Sequence, residues 1–413
     1  MLGNFTFHNP TKLHFGEDSL SKLSEELKNY GKKVMLCYGG GSIKRNGIYD
    51  QVMAELKKAG CEVIEIAGVM PNPTIEKVLE GAHTARKENV DFILGVGGGS
   101  TVDYCKAVAG SAWYDGDPWE YYFKNWQPMT CRWIPVGCVL TMAGTGSEMD
   151  SCSVISSHSE NRKLFYNFRN PDFAILNPRF TFTVPKYQMV AGIYDIMSHI
   201  LEQYLWGTDD NTSDYIAEGL MRSLIVSSGK ANVNPEDYEA RSNIMWTATW
   251  ALNTLIDRAK ATDWMVHMLG QAVAAFTDAT RGHTLAAVSG AYYRLLINKS
   301  DDAVQKFKRL AMNVWNVSAE AKTAIEREES DARINYPERE QARPKVKTDK
   351  QVAMEGLEAM EQWMRELGLA MNITDCGAKP EQIEGMADAC PICQGGYYIL
   401  NRDEVVQVLK ESL

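Results

Sequence analysis

Phe92-Ile93-Leu94-Gly95-Val96 runs without a break into Gly97-Gly98-Gly99-Ser100-Thr101-Val102-Asp103. A continuous apolar run that ends in glycines and then turns helical is the mark of a parallel strand buried on both faces of an open α/β sheet. Glycine lets a backbone approach a pyrophosphate closely, while free N–H groups and the helix dipole favour its charge. Ser100 can add a hydrogen bond. Gly98, Gly99 and Ser100 are therefore candidate cofactor-binding residues.

The same grammar recurs one unit earlier, where Val34-Met35-Leu36-Cys37-Tyr38 precedes Gly39-Gly40-Gly41-Ser42-Ile43-Lys44-Arg45. In nucleotide-binding sheets an acidic residue at such a strand end holds the adenosine ribose, and its absence beside basic residues admits a 2′-phosphate. No carboxylate stands in this turn, and Lys44 and Arg45 follow it. NADP(H) is expected in preference to NAD(H), bound by Gly39, Gly40, Gly41, Ser42, Lys44 and Arg45. A third such segment, Thr141 to Glu148, follows the apolar Ile134 to Leu140 and offers small residues and hydroxyls to a nucleotide.

From Phe182-Thr183-Val184-Pro185 onward the pattern changes to long helical periods. The expected fold is α/β plus all-α: a Rossmann-like parallel-sheet domain over 1–182, a helical-bundle domain over 183–413, and the active site in the cleft between them. Residues 326–350, dense in charge and carrying Pro337 and Pro344, are expected to form a solvated excursion.

The chain has 413 residues, enough for two cores, and its 45% hydrophobic and 23% charged content is that of an ordinary globular protein. A net charge of −10 argues against nucleic acid or an anionic membrane as partner. No run of about 18 apolar residues suggests a membrane span, and no secretory signal opens the chain. Nine scattered cysteines read as reduced thiols, Cys390-x-x-Cys393 included, and the cytoplasm is the expected compartment.

Tyr194-Asp195-Ile196-Met197-Ser198-His199 carries a carboxylate and an imidazole four residues apart, which a helix places on one face. With His267 from a later helix they could share a divalent cation, of the kind that nitrogen and oxygen donors together favour: Fe, Zn or Ni. Such a pair is commonly no more than a hydrogen bond. Trp264, Phe276 and Trp113 are candidates to line an apolar substrate pocket, although aromatics there are more often core.

Together, Tyr38 to Gly47, Gly97 to Lys106, Thr141 to Glu148, Asp195-x3-His199, Asp263-Trp264-x2-His267 and Gly395 to Val406 resemble the iron-containing, or group III, alcohol dehydrogenase family. The likeness is to its butanol dehydrogenase and NADPH-dependent aldehyde reductase branch. The resemblance implies a small-molecule aldehyde or alcohol substrate, hydride transfer to or from a nicotinamide, a metal that polarises the substrate oxygen, and often a homodimer. It also implies that Asp103 lies near the nicotinamide, that Thr141 and Thr145 line the cofactor cleft, and that Lys163 approaches the cofactor.

Two positions depart from the family. Where a fourth metal-binding histidine is expected, fourteen residues after His267, the chain has Arg281. A guanidinium has no lone pair to give and repels a dication. Gln271 stands where relatives carry a histidine near the substrate, and glutamine cannot relay a proton by titrating. Asp103, Gln271 and Arg281 are thus the candidate catalytic positions, with Asp195, His199, His267 and a displaced His283 as candidate metal ligands.

Three outcomes are open. His283 substitutes as ligand, or three ligands hold the metal weakly, or Arg281 takes the cation's place against Asp195. The rival to an aldehyde reductase is a catalytically impaired or metal-free homologue that keeps its nucleotide. A glycerol dehydrogenase or dehydroquinate synthase relative fits Tyr38 to Gly47 and Asp263-Trp264 less well.

Overall fold

The computed structural model describes residues 2–258, 260–320 and 346–413. In the first part of the chain, strands β1 (Lys12–Phe15), β2 (Lys33–Tyr38), β3 (Glu62–Ile66), β4 (Phe92–Gly97), β5 (Val136–Leu140) and β8 (Phe173–Leu176) form one sheet in the order β1-β8-β5-β4-β2-β3. Every pairing in it is parallel. β6 (Cys152–Ser157) and β7 (Arg162–Asn167) make a separate antiparallel hairpin.

Burial follows position in the sheet. The interior strands β4, β5 and β8 are buried at every residue, whereas the edge strands β1 and β3 are not. The apolar runs of the sequence are the strands with neighbours on both sides and helices on both faces. Helices α1 (Leu23–Glu26), α2 (Ser42–Arg45), α3 (Ile48–Lys58), α4 (Ile75–Lys87) and α5 (Gly99–Ser111) are interleaved with the strands.

The chain passes from β2 outward to β3 and returns to place β4 on the other side of β2. That reversal leaves a crevice beyond the carboxyl ends of β2 and β4, where the two glycine turns lie and where ligands bind in open sheets. Among the described residues, those after Leu176 form helices and no strand. The main helices there are α6 (Lys186–Tyr204), α7 (Thr212–Val233), α8 (Tyr238–Ala251), α9 (Met265–Thr277), α10 (Arg281–Lys299), α11 (Asp301–Asn313), α12 (Asp349–Leu367), α13 (Ile383–Ala389) and α14 (Arg402–Glu411). They share one apolar core that runs from Met189 to Leu409.

Glycines bring backbones together within the helical half and at its junction with the sheet half. A Cβ on Gly282 would lie 1.8 Å from the Ala191 carbonyl oxygen, and one on Gly192 would lie 2.2 Å from that of Ala143. Only bare backbone lets α6, the start of α10 and the loop after β5 come this close. Of the charged excursion expected over 326–350, residues 326–345 lie outside the described residues, and Asp349 and Lys350 already belong to α12. No helix of the described residues is long and apolar enough to cross a membrane.

Candidate active site

A cavity of about 360 Å³ runs along the crevice. Its floor is Gly39, Gly40 and Ser42 after β2, Gly97 to Ser100 after β4, and Thr141 to Thr145 after β5, and its far wall includes Lys163, Asp195 and Arg281. The glycines of the central turn are demanded by crowding. A Cβ on Gly97 would meet Thr101 Oγ1 at 2.3 Å, and one on Gly99 would meet Thr145 Oγ1 at 2.0 Å. Thr145 thus packs directly on the turn that opens α5.

Asp103, one turn into α5, also lines the cavity, but both its carboxylate oxygens are engaged. Oδ1 accepts from Ser147 Oγ at 2.5 Å and Oδ2 from the Val154 N–H at 3.1 Å. In this arrangement it braces the loop after β5 and the hairpin. Lys106, fully buried one turn on, donates to Asp150 Oδ1 and to the Ser147 and Asp150 carbonyls, closing the same brace.

Gly41, Lys44 and Arg45 of the first turn are not in the cavity wall. Lys44 instead faces Glu65 at 3.5 Å and lies over the Tyr38 and Tyr49 rings. Glu65 also accepts from both tyrosine hydroxyls. The turn itself lacks a carboxylate, yet β3 supplies one beside it because Glu65 is in register with Leu36 of β2. A cross-strand neighbour of this kind leaves no local trace in the sequence.

At the other end of the cavity, α6 carries Asp195, His199 and Glu202 at spacings that keep all three on one face. His199 Nε2 and His267 Nε2 each lie 3.7 Å from Asp195 Oδ1, and the two imidazole rings stack at 4.8 Å. Glu202 was not singled out from the sequence. It accepts from His267 Nδ1 at 2.5 Å and from the His267 backbone N–H, and Ser198 donates to it as well. Its signal was an acidic residue seven positions after Asp195, on the same helix face.

Asp195 Oδ1, His199 Nδ1 and His267 Nε2 are all buried without a hydrogen-bond partner. Leaving such atoms unpaired is costly, and Asp195 Oδ1 and His267 Nε2, 3.7 Å apart with His199 Nε2 also 3.7 Å from Oδ1, face one point that a cation would satisfy. Asp195, His199 and His267 offer ligand atoms within 4.8 Å of one another, which suits a three-ligand site. The fourth corner does not fit: Arg281, first residue of α10, brings Nε to 3.5 Å from Asp195 Oδ2.

Charge is already balanced there. Burial would raise the Asp195 carboxyl, but Arg281 and then the two imidazoles hold it well below the usual range. Burial lowers His199 to about 3, so that ring is neutral and able to donate a lone pair. His267 goes the other way. Burial opposes its charge, but Glu202 and Asp195 raise it to about 9.

The expectation that His283 supplies the fourth ligand is corrected. Its Nε2 donates to the Tyr187 carbonyl, its Nδ1 accepts from the Ala370 N–H, and its ring stacks on Tyr187 at 3.9 Å. Both ring nitrogens are used elsewhere. Because the helix begins at Arg281, a two-residue step turns the side chain by about 200° around the axis. Gln271 is buried on α9 one turn past His267 and is not in the cavity wall.

Trp113, Trp264 and Phe276 do not line the cavity either. Trp113 packs under Arg86 and Arg132, while Trp264 makes a T-shaped contact with His267 at 5.3 Å. The nine cysteines are free thiols, and burial pushes both Cys390 and Cys393 up to about 12, which makes them poor nucleophiles.

The model of the iron-containing alcohol dehydrogenase family matches residues 10–178, and that of its C-terminal region matches 189–413. The chain belongs to the iron-containing alcohol dehydrogenase family.

Among its relatives, a probable NADH-dependent butanol dehydrogenase of Bacillus subtilis is 38% identical over 99% of this chain and 100% of its own. The NADPH-dependent aldehyde reductase YqhD of Escherichia coli is 37% identical over 77% of this chain and 81% of its own. The crystal structure of the NADH-dependent butanol dehydrogenase A of Thermotoga maritima superposes with a TM-score of 0.87 at 34% identity, covering 100% of this chain and 99% of that one. Family membership makes this chain an NAD(P)-dependent oxidoreductase of alcohols and aldehydes.

Proposed function

We propose that this family member reduces small aldehydes to primary alcohols with NADP(H), and runs the reverse reaction, in the cleft between the β2–β4 turns and the Asp195–Arg281 corner. One observation carries the reading: a single cavity joins the glycine turns suited to a dinucleotide with a buried, charge-lined end suited to a carbonyl. The open turn at Gly39 to Ser42, without its own carboxylate, supports a 2′-phosphate. Thr141 and Thr145 offer hydroxyls along the cofactor's path.

Asp195, His199 and His267 are the residues that would hold a divalent metal, and such an ion, when bound, supplies Lewis-acid polarisation of the substrate oxygen. The chain's own contribution at that end is positive charge: Arg281, kept protonated, has guanidinium N–H groups that can face a carbonyl oxygen from the cavity wall. The exposed Leu2, Phe5 and Phe7 of the first residues support a homodimer, and free thiols support a cytoplasmic setting.

A second reading has its own support. Arg281 against Asp195 favours a chain that binds cofactor with little or no metal and turns over slowly. On the cofactor itself, the pairing of Lys44 with Glu65 favours NADH. Oxidation of NADPH and of NADH across a series of short aldehydes, with metal content measured on the same sample, tests both. Turnover that prefers NADPH supports the first reading; tight nucleotide binding with no turnover on any aldehyde, metal added or not, refutes it.

A further inference from the structure

Two buried lysines stand near the cleft, and they differ in one respect. Lys106 is saturated by a carboxylate and two carbonyls and does not reach the cavity. Lys163, on β7, is 7% exposed and lines the cavity with Asp195, Arg281 and Thr145. Among the described residues, its hydrogen-bond partner is a neutral amide oxygen, Asn72 Oδ1, at 2.6 Å. An ammonium has three N–H groups, so two remain for whatever enters the cavity.

Asn72 is itself fixed from the opposite lip of the cleft. Within Pro71-Asn72-Pro73 it adopts a φ of 54°, and its Nδ2 donates to Asp278 Oδ1 at 2.9 Å and to the Asp278 carbonyl at 3.3 Å. Asp278, which caps the end of α9, also has a φ of 54°. Two non-glycine residues in the left-handed region, tied to each other across the cleft, hold the Lys163 amine in one place.

We propose that Lys163 donates the proton to the alkoxide oxygen when an aldehyde is reduced in this cleft, with Asn72 as its positioning residue. This rests on the aldehyde-reductase reading above. Hydride leaves the reduced nicotinamide and forms the new C–H bond, and the carbonyl π pair moves to oxygen. Oxygen then takes a proton from Lys163 Nζ, so that O–H forms as N–H breaks, the cofactor departs oxidised, and the neutral amine recovers its proton from water in the open cleft.

The charges around Lys163 suit the task. Burial is the largest influence and lowers it, Arg281 lowers it further, and Asp195, Asp103 and Asp278 raise it, leaving it at about 7. Near neutrality both the ammonium and the amine are populated, as proton transfer in each turnover requires. Gln271, where a titrating histidine was expected, cannot do this.

The test is the pH dependence of kcat at saturating cofactor in both directions, with cofactor affinity followed by nicotinamide fluorescence. In the wild-type chain, reduction should fall and alcohol oxidation should rise through an apparent pKa near 7. Lys163→Met should remove both limbs and lower kcat ~10²–10⁴-fold while still binding cofactor. Small primary amines should partly restore Lys163→Ala. Asn72→Gly, which suits the left-handed backbone but lacks the oxygen that favours the ammonium form, should move the limbs to lower pH.

A Lys163→Met chain that keeps the wild-type limbs, or whose loss is accounted for wholly by weaker cofactor binding, overturns the assignment. A wild-type chain inert towards every aldehyde overturns the underlying reading instead, before any variant is made.

Discussion

Replacing Arg281 by histidine should convert a site that resists metal into one that holds it. Counted in bonds from Cα, an introduced imidazole Nε2 sits about where the arginine Nε now lies, 3.5 Å from Asp195 Oδ2. At an effective dielectric of ~20, a guanidinium at that distance from a carboxylate gains ~5 kcal/mol, and a dication ~5 Å from the guanidinium is repelled by ~7 kcal/mol. Metal entering the wild-type chain must either displace Arg281 from Asp195 or accept the repulsion, so it loses at least ~5 kcal/mol. At 1.4 kcal/mol per decade this is roughly 10³–10⁴ in affinity, before the fourth nitrogen is counted. The assay is metal per chain after dialysis, with chelator competition for Zn²⁺ and the d–d absorption of Co²⁺ as a report on four-coordinate geometry. If the wild-type chain binds one equivalent with an affinity within tenfold of Arg281→His, the electrostatic argument is wrong.

Other consequences can be checked separately. Gly282→Ala would press a Cβ to 1.8 Å from the Ala191 carbonyl oxygen, so α10 must shift; a loss of ~1–3 kcal/mol or more in denaturant melts is expected, together with weaker cofactor binding. Glu202→Gln removes the charge that orients His267 and should weaken metal binding in an Arg281→His background by ~10–100-fold, measured by the same competition. Lys163 has its folded pKa depressed to about 7, below its value in the unfolded chain, so between those two values the unfolded chain binds more protons and stability rises with pH. Lys163→Met should therefore melt higher than wild type at about pH 6, by ~3–5 kcal/mol at most, and lose that advantage as pH climbs towards 10; a difference that does not change with pH would contradict the depressed amine.

Much of the cofactor half could be read locally. Phe92 to Gly97 is apolar at every position because both faces of β4 are covered, and the residues that follow are small because Thr101 and Thr145 crowd the turn. Asp195 and His199 announced a shared helix face by spacing alone. The first turn was read incompletely: Lys44 and Arg45 suggested a place for a 2′-phosphate, but Lys44 meets Glu65 on β3, beyond the intervening helix α3. Asn72 and Asp278 carried no sign of each other across 206 residues.

By itself, then, the sequence determined the parallel sheet, the glycine turns, the helical second half and the family, because hydrophobic periodicity and turn chemistry act over a few residues. It also determined that an arginine stands where a histidine was expected. Only the tertiary structure decided that Arg281 rather than His283 meets Asp195, that Glu202 backs His267, and that Lys163 faces the cavity with hydrogens to spare. Those outcomes depend on where a helix begins and on how closely distant backbones pack, distances that no local pattern encodes.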